Sequence, residues 1–578
     1  VGFGIYLSRK GGGNENTKDY FLASKALPWW AVGGSLIASN ISTEQILGMN
    51  GSGYVIGLAI GTYELMAAAT LLIVAKFFLP IFIDKGIFTM PQFLEKRYDN
   101  RVRTILAIFW VALFVFVNIS TIFYLGGLAI QNLMGVPLAY GIVGLVLYSA
   151  AFSIFGGLKA VVWTDVVQVV VLVIGGFMAS IAVVSLIGDG SFFGGLGTMV
   201  EEAPERFDLI LDKSNPNYSD LPGISVLIGG MWIANLYYWG NNQYIIQRAL
   251  AAKTLGEAQR GVAFAAFLKI FMPLIVVVPG IAAYMILQDP TAYGLPEGSA
   301  LDKADSAFPW VLNNFVGVGF KGLVFAALVA AIGSSISSLV NSASTIWTLD
   351  LYRPFFYNGQ GGDAEDSHLV RVGKISAAAI LIIGALVAPL LQNAGQVFQV
   401  IQEYTGFISP GVLVVFIFGL FWRRATANAA LVVVILSFPL ALGLKFFMPE
   451  LPFLDRMGFV FLICAGLLVM LSLLERREKL TVRPTDLAFR VGVVISLLMI
   501  SVPSGFKIIL EDTGVSQAVG YVIIAISAVL ITSIFMERKT NDEHAMAVDG
   551  KLFKTDLVFN VASIAVILIL SVIYAVFW

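Results

Sequence analysis

Hydrophobic positions along this 578-residue chain come in blocks of about 20, the length an α-helix needs to cross a bilayer core of roughly 30 Å. Short stretches rich in charge, Gly and Pro separate them. The blocks lie at 28–55, 57–83, 103–130, 138–155, 161–187, 223–248, 258–288, 309–350, 370–392, 395–420, 427–447, 454–474, 488–510, 517–536 and 556–577. The longest, 309–350, predicts a kink or interfacial turn near Lys321. Ahead of the first block, a short apolar stub precedes Ser8, Arg9 and Lys10. It is too short for a signal peptide and reads as the end of a truncated first transmembrane helix.

Composition narrows the class further. The chain is 58% hydrophobic and 13% charged, far too apolar for a soluble domain of this size. One cysteine, Cys464, lies inside an apolar block, which leaves no disulfide framework and no thiolate metal cluster. The two histidines, His368 and His544, fall in polar stretches. That supply is too small for a zinc enzyme, and no GxxxxGK[ST] loop offers a phosphate cradle for ATP-driven transport. No nucleic-acid partner is expected. The pattern predicts an all-α polytopic protein of the plasma (inner) membrane.

Basic residues orient the spans. They gather at every second connection: Arg9, Lys10, Lys18 and Lys25; Lys85, Lys96, Arg97, Arg101 and Arg103; Lys159; Arg248, Lys253 and Arg260; Arg353, Arg371 and Lys374; Arg423 and Arg424; and the stretches after 475 and 537. The intervening connections, such as 188–222 and 289–308, are acidic or nearly neutral. One alternating topology satisfies the whole chain, with basic loops cytoplasmic and the N-terminus extracellular or periplasmic.

Five blocks fall in 28–187 and five more in 223–424, so the second set enters the membrane upside down relative to the first. The expected organisation is a stub and linker (1–27), a first repeat (28–187), an extracellular loop (188–222), a second repeat (223–424) and accessory helices (425–578). Inverted-repeat transporters place their sites near the bilayer midplane, where helices are interrupted. The first block of each half carries such an interruption, Ala38–Gln45 in one and Asn235–Gln243 in the other. Small polar residues also permit close helix packing. Two polar runs at matching positions in opposed halves favour broken helices.

Polar residues within spans need a reason to be there. Glu64 and Lys269 would each cost on the order of 3 kcal/mol facing lipid, so they are expected to face a cavity and pair with each other or with a ligand. An ion pair that only fixes packing is the competing reading. Gln402 and Glu403 open the tenth span of the paired repeats. Asp165 follows Trp163 at the start of the fifth, where helix capping competes with function. The run Ser334, Ser335, Ser337 and Ser338 offers hard neutral oxygens suited to Na⁺, or else hydroxyls bonded back to their own helix.

These residues belong to a wider pattern. Phe21-Leu22-Ala23, Leu27-Pro28-Trp29-Trp30, Asn40-Ile41-Ser42-Thr43-Glu44-Gln45 and Gly156 through Asp165 form its first part. Asn235 through Gly240, Gln247-Arg248, Asn341 through Thr345 and Gln402 through Gly406 complete it. As a set they resemble the sodium/solute symporter family, and within it the branch of bacterial sodium–galactose and animal sodium–glucose transporters. The resemblance implies a LeuT-like five-plus-five inverted-repeat core with additional N- and C-terminal transmembrane helices, alternating access, and uptake of a neutral sugar driven by inward Na⁺ flow. It assigns the sugar to Gln45, Glu64, Asn235, Tyr238, Lys269 and Gln402. Tyr238 would be the inner gate, and Met49, Tyr63 and Phe398 the outer one. Na⁺ would sit on the carbonyls of Ala38, Ile41 and Ala331 and the hydroxyls of Ser334 and Ser335.

Two departures stand out. Where this chain has Ser337, the bacterial galactose branch carries Ala, and relatives with a second sodium site combine such serines with the aspartate matching Asp165. Asp165, Ser334, Ser337 and Ser338 are therefore a candidate second Na⁺ site. Residues 480–555 insert two further spans, 488–510 and 517–536, outside the core. A monomer is expected to suffice for transport. The alternatives are the same machine with another cargo (inositol, sialic acid, proline or pantothenate), or a passive channel or sodium sensor. An enzyme is disfavoured because no nucleophile–base–orienter set can be assembled.

Overall fold

In lipid each backbone N–H and C=O must be satisfied within its own segment, so the helix is the natural state of every apolar block. The computed structural model describes residues 27–87, 89–357, 363–393, 395–476, 544–546 and 548–578, and each expected block it covers is helical apart from the breaks described below. Among the described residues nine helices are long and apolar enough to span, ten if a pair bent by 49° counts as one. The remaining expected blocks are the two broken helices, one short limb described below, and the inserted spans 488–510 and 517–536. Those inserted spans and the N-terminal stub lie outside the described residues.

The elements that build the site are, in chain order, α1 (Trp29–Asn40), α2 (Asn50–Ile56), α3 (Leu58–Asp84), α4 (Asn100–Met134) and α5 (Leu138–Ile187). The second half supplies α6 (Gly230–Leu236), α7 (Gln243–Leu250), α8 (Leu255–Gln288), α9 (Gly319–Phe356), α10 (Ser367–Gln392), and the bent pair α11 (Val397–Gly406) and α12 (Ser409–Phe421). Beyond them run α13 (Ala427–Phe447), α14 (Phe453–Glu475) and α15 (Leu557–Val576). This is the LeuT-like five-plus-five core with accessory C-terminal helices.

Both expected interruptions are present. The helix α1 stops at Asn40, Ile41 is extended (φ −78°, ψ 104°), and a wide-turn segment Glu44–Met49 leads into α2. In the second half a similar segment, Tyr237–Asn241, follows α6, and Asn242 is extended (φ −84°, ψ 120°) before α7.

Two expectations change. The break expected near Lys321 lies at Val316–Gly317, where extended backbone separates the short helix Ala307–Phe315 from α9. Lys321 sits one turn into α9 and reaches back to the Asn313 carbonyl at 3.2 Å. The second change concerns 138–155 and 161–187, expected as separate helices but joined in the continuous helix α5. A straight helix of 50 residues would measure about 75 Å, far beyond a membrane. Yet Tyr148 packs at Gly333 while Asp165 bonds Ser334, so two positions separated by some 25 Å of helix rise reach neighbouring residues of α9. The two limbs therefore converge, and the two expected crossings share one hydrogen-bonded backbone.

Glycine sets the closest approaches. A Cβ on Gly33 of α1 would fall 2.6 Å from the Gly261 carbonyl oxygen of α8, and one on Gly280 would fall 1.9 Å from the Asn50 carbonyl oxygen of α2. Such small-residue contacts are how membrane helices gain packing without a hydrophobic driving force. They hold both halves of the first broken helix directly on α8, which carries Lys269.

Candidate functional site

Where α1 stops, the backbone loses its regular partners. The Ser42 N–H donates to the Gln45 side-chain oxygen at 3.1 Å instead of to the Ala38 carbonyl. Hydroxyls from α9 approach the freed carbonyls: Ser335 Oγ donates to the Ser39 carbonyl at 3.3 Å, and Ser334 Oγ lies 3.0 Å from the Ala38 carbonyl while its one proton is shared with Asp165 Oδ1 at 2.5 Å. Ala331 lies one turn earlier on α9 and Ile41 at the break itself, both buried. A cluster of carbonyls and rotatable hydroxyls is what a weakly bound hard cation requires, since each hydroxyl can turn a lone pair inward.

The opposite side of the same turn faces a cavity. Gln45, Glu64, Asn235, Tyr238, Lys269 and Gln402 all line it, together with Tyr63 and Phe398. Met49 does not, and its side chain is fully packed in the core. Tyr63 and Phe398 meet edge to face at 5.2 Å between ring centroids, 5% and 4% exposed. Glu403, the neighbour of Gln402, turns away and pairs with Lys445 at 2.9 Å and Arg456 at 2.5 Å.

Lys269 is the hub of the cavity. It is the last residue of the Leu255–Lys269 segment of α8, just before the turn that Pro273 imposes, and it is fully buried. Its ammonium pairs with Glu64 of α3, donates to Asn40 Oδ1 at the end of α1, and lies 5.1 Å over the Trp239 ring. Asn40 Nδ2 in turn donates to the Tyr238 hydroxyl at 2.9 Å, which meets the Tyr244 hydroxyl at 2.5 Å. One chain of polar contacts thus joins α3, α8, α1, the Tyr237–Asn241 segment and α7.

Several cavity residues escaped the sequence assignment, four of them with side chains that bear on the site. Asn40, Glu44, Asn118 and Trp239 all line the cavity. Asn118 carried a legible signal, a lone amide in the middle of an apolar block, and it sits in the wide-turn segment Phe114–Ile119 that re-aims side chains within α4. Asn40 and Glu44 lay within the quoted motif without being assigned a role.

A second polar cluster lies behind α1. Buried Asp165 accepts from Ser334 Oγ at 2.5 Å, Ser35 Oγ at 2.7 Å and Ser39 Oγ at 3.2 Å. The capping explanation for Asp165 does not hold, because it lies well inside α5. Ser337 and Ser338 both donate back to the Ser334 carbonyl, at 2.8 and 2.7 Å. Arg248, grouped with loop cations by its sequence position, is instead fully buried. Its guanidinium lies 3.8 Å from Asp165 and donates to Ser338 Oγ, to Ser35 Oγ at 3.1 Å and to the Tyr244 carbonyl. Arg97 likewise turns inward, donating to the Gly419 and Trp422 carbonyls at 2.9 and 3.0 Å.

Comparison with known proteins places these features in a family. The model for the sodium:solute symporter family matches residues 20–437. A sodium/glucose cotransporter from Vibrio parahaemolyticus is 47% identical, covering 100% of this chain and 96% of that protein. The sodium/myo-inositol cotransporter 2 of Mus musculus is 35% identical over 74% of this chain and 65% of its own length. Among solved structures, a Na⁺-coupled sialic acid symporter in a substrate-bound outward-open state superposes with a TM-score of 0.69. It is 25% identical and covers 82% of this chain and 94% of that one.

Proposed function

Because the chain belongs to the sodium:solute symporter family, we propose that it couples inward Na⁺ flow to uptake of a neutral sugar across the plasma (inner) membrane. The observation that carries this reading is the shared last turn of α1. Asn40 faces the cavity hub, while Ala38 and Ser39 take the hydroxyls of Ser334 and Ser335. An ion bound between α1 and α9 fixes the turn that presents Asn40 to Lys269 and Tyr238, so ion and sugar stabilise the same arrangement.

The chemistry of the cavity favours a neutral polyol. The charge of Lys269 is already balanced by Glu64, leaving its donors oriented rather than available for a carboxylate. Glu44 adds a second carboxyl group to the lining, beside Asn118, and can accept from a hydroxyl. Gln45, Asn235 and Gln402 supply amides, and Tyr238 an aromatic face. Glucose, galactose and myo-inositol share this chemistry, whereas sialic acid and proline carry a carboxylate.

Na⁺ is assigned to Ala38, Ile41, Ala331, Ser334 and Ser335. The candidate second position at Asp165, Ser334, Ser337 and Ser338 is held by Arg248 in this arrangement, so a second ion binds only once the guanidinium withdraws from Ser338. Tyr63 and Phe398 close the outer side and Tyr238 the inner one, with the basic loops cytoplasmic, the N-terminus outside, and one chain forming a complete pathway. Ser335→Ala tests the ion assignment. In proteoliposomes it should raise the Na⁺ concentration for half-maximal uptake about tenfold or more, the scale of losing one ligand. Unchanged Na⁺ dependence sinks the site. Competition of unlabelled galactose, glucose, myo-inositol and sialic acid against labelled glucose identifies the cargo, and strong competition by sialic acid alone contradicts a neutral solute.

A further inference from the structure

Outside the central cavity, two further cavities lie end to end between α4, α9 and α10. The first is an apolar groove walled by Ile108, Phe116, Trp347, Leu351, Ile375 and Ile383. Ile108, Phe116, Ile375 and Ile383 are exposed on its rim, so it opens toward lipid. Its walls run from Ile108 to Phe116 on α4 and from Val372 to Ile383 on α10, about 12–16 Å of helix rise. That is half of a bilayer core of roughly 30 Å, the reach of one leaflet.

The second cavity lies toward the basic side of α4 and α9, with Gln92 and Glu95 of the helix Met90–Arg97 and Glu365 completing its wall. It is polar. Arg103 bridges Glu95 at 2.8 Å and Asp350 at 3.2 Å, and Arg353 pairs with Glu365 at 2.8 Å. Three carboxyl groups there face two guanidinia. Asp350 is 2% exposed, and its Oδ2 has no hydrogen-bond partner among the described residues. A buried carboxylate oxygen left so is costly unless a donor reaches it. Arg371 is exposed, one turn before the groove residue Ile375 on the same face of α10. It forms no ion pair among the described residues.

We propose that groove and pocket together bind one phospholipid with a primary-amine headgroup. An acyl chain fills the groove, the phosphodiester meets Arg371, and the ammonium donates to Asp350 Oδ2. The charge pattern selects this headgroup. A glycerol headgroup brings no cation to Asp350, and trimethylammonium has no N–H to donate. A second copy of the chain would cover the groove but leave the recessed Asp350 unserved. The bound lipid braces α9, which carries Ser334 and Ser335, against α4 and α10.

The test uses the full chain, delipidated and reconstituted into nanodiscs of phosphatidylcholine doped with phosphatidylethanolamine or phosphatidylglycerol, with retained lipid counted by native mass spectrometry. Phosphatidylethanolamine should be retained about tenfold over either competitor, the scale of one charge-assisted hydrogen bond. Asp350→Asn should erase that preference. Ala379→Trp, which fills the groove and leaves every charge in place, should displace the lipid, and it carries the test if Asp350→Asn fails to fold. Equal retention of the three lipids overturns the proposal. So does retention unchanged in Ala379→Trp, or a dimer that Ala379→Trp abolishes, since the groove would then belong to a second copy. None of these outcomes requires transport, so they stand apart from any failure of the proposed sugar uptake.

Discussion

Lys269 and Glu64 form a pair that neither lipid nor an apolar core would tolerate singly. Removing one partner leaves an uncompensated buried charge, a loss of about 3–5 kcal/mol. Lys269→Met should therefore lower the melting temperature of the purified protein sharply and abolish uptake. Lys269→Met with Glu64→Gln should recover most of the stability and none of the uptake, because the cavity still lacks its central donor. Wild-type uptake by the double variant would reduce the pair to a packing device. Arg248 makes a separate prediction. Arg248→Gln frees Ser338 and exposes Asp165 to an ion, so the steepness of the Na⁺ dependence of uptake should rise. An unchanged Hill coefficient would remove Arg248 from the second position. Glu64 and Lys269 were legible in the sequence because a charge inside an apolar block demands a reason. Arg248 and Arg97 were not, because a cation at the end of a block looks the same whether it turns toward water or toward buried carbonyls.

At the scale of elements, the broken helices were legible because runs such as Ser39-Asn40-Ile41-Ser42-Thr43 interrupt apolar spans. The continuity of α5 was not. Gly156, Gly157 and Lys159 read as a connection, and the convergence of its two limbs is visible only through their separate contacts with Gly333 and Ser334. The seating of α2 on α8 depends on Gly280, and Gly280→Val would drive side-chain carbon into the Asn50 carbonyl. It should impair uptake and stability together, and a variant that leaves both intact would show that this contact yields freely. On the outer side, the turn Ala304–Ser306 buries Asp305 against Gly51 and below the Val397 N–H, which donates to it at 3.3 Å. Burial pushes its carboxyl up to about 7, with Lys303 opposing. An acid raised in the folded state binds more protons folded than unfolded between its ordinary value near 4 and 7. The seating of this turn should therefore weaken as pH rises from about 4 to 7, measured as the pH dependence of the melting temperature. Asp305→Asn should flatten the curve over that window, and an identical curve in the variant would exclude Asp305 as its source.

For the whole molecule, helix count, broken helices and membrane class followed from the period and length of apolar blocks. The assignment of individual cavity residues came from resemblance rather than spacing, since positions from Gln45 to Gln402 converge only through the packing of five helices. Met49 shows the limit: it lies four residues from Gln45 yet packs in the core, because the segment Glu44–Met49 winds more widely than an α-helix. The central claim is that Na⁺ and sugar meet through the last turn of α1. Reciprocal linkage in the purified protein tests it most directly: Na⁺ affinity measured with and without saturating sugar, and sugar affinity with and without saturating Na⁺. The account predicts that each ligand tightens the other by the same factor, and that Asn40→Ala, which cuts the contact between turn and cavity hub, brings that factor close to one. Affinities in the wild-type protein that are independent of each other would contradict it.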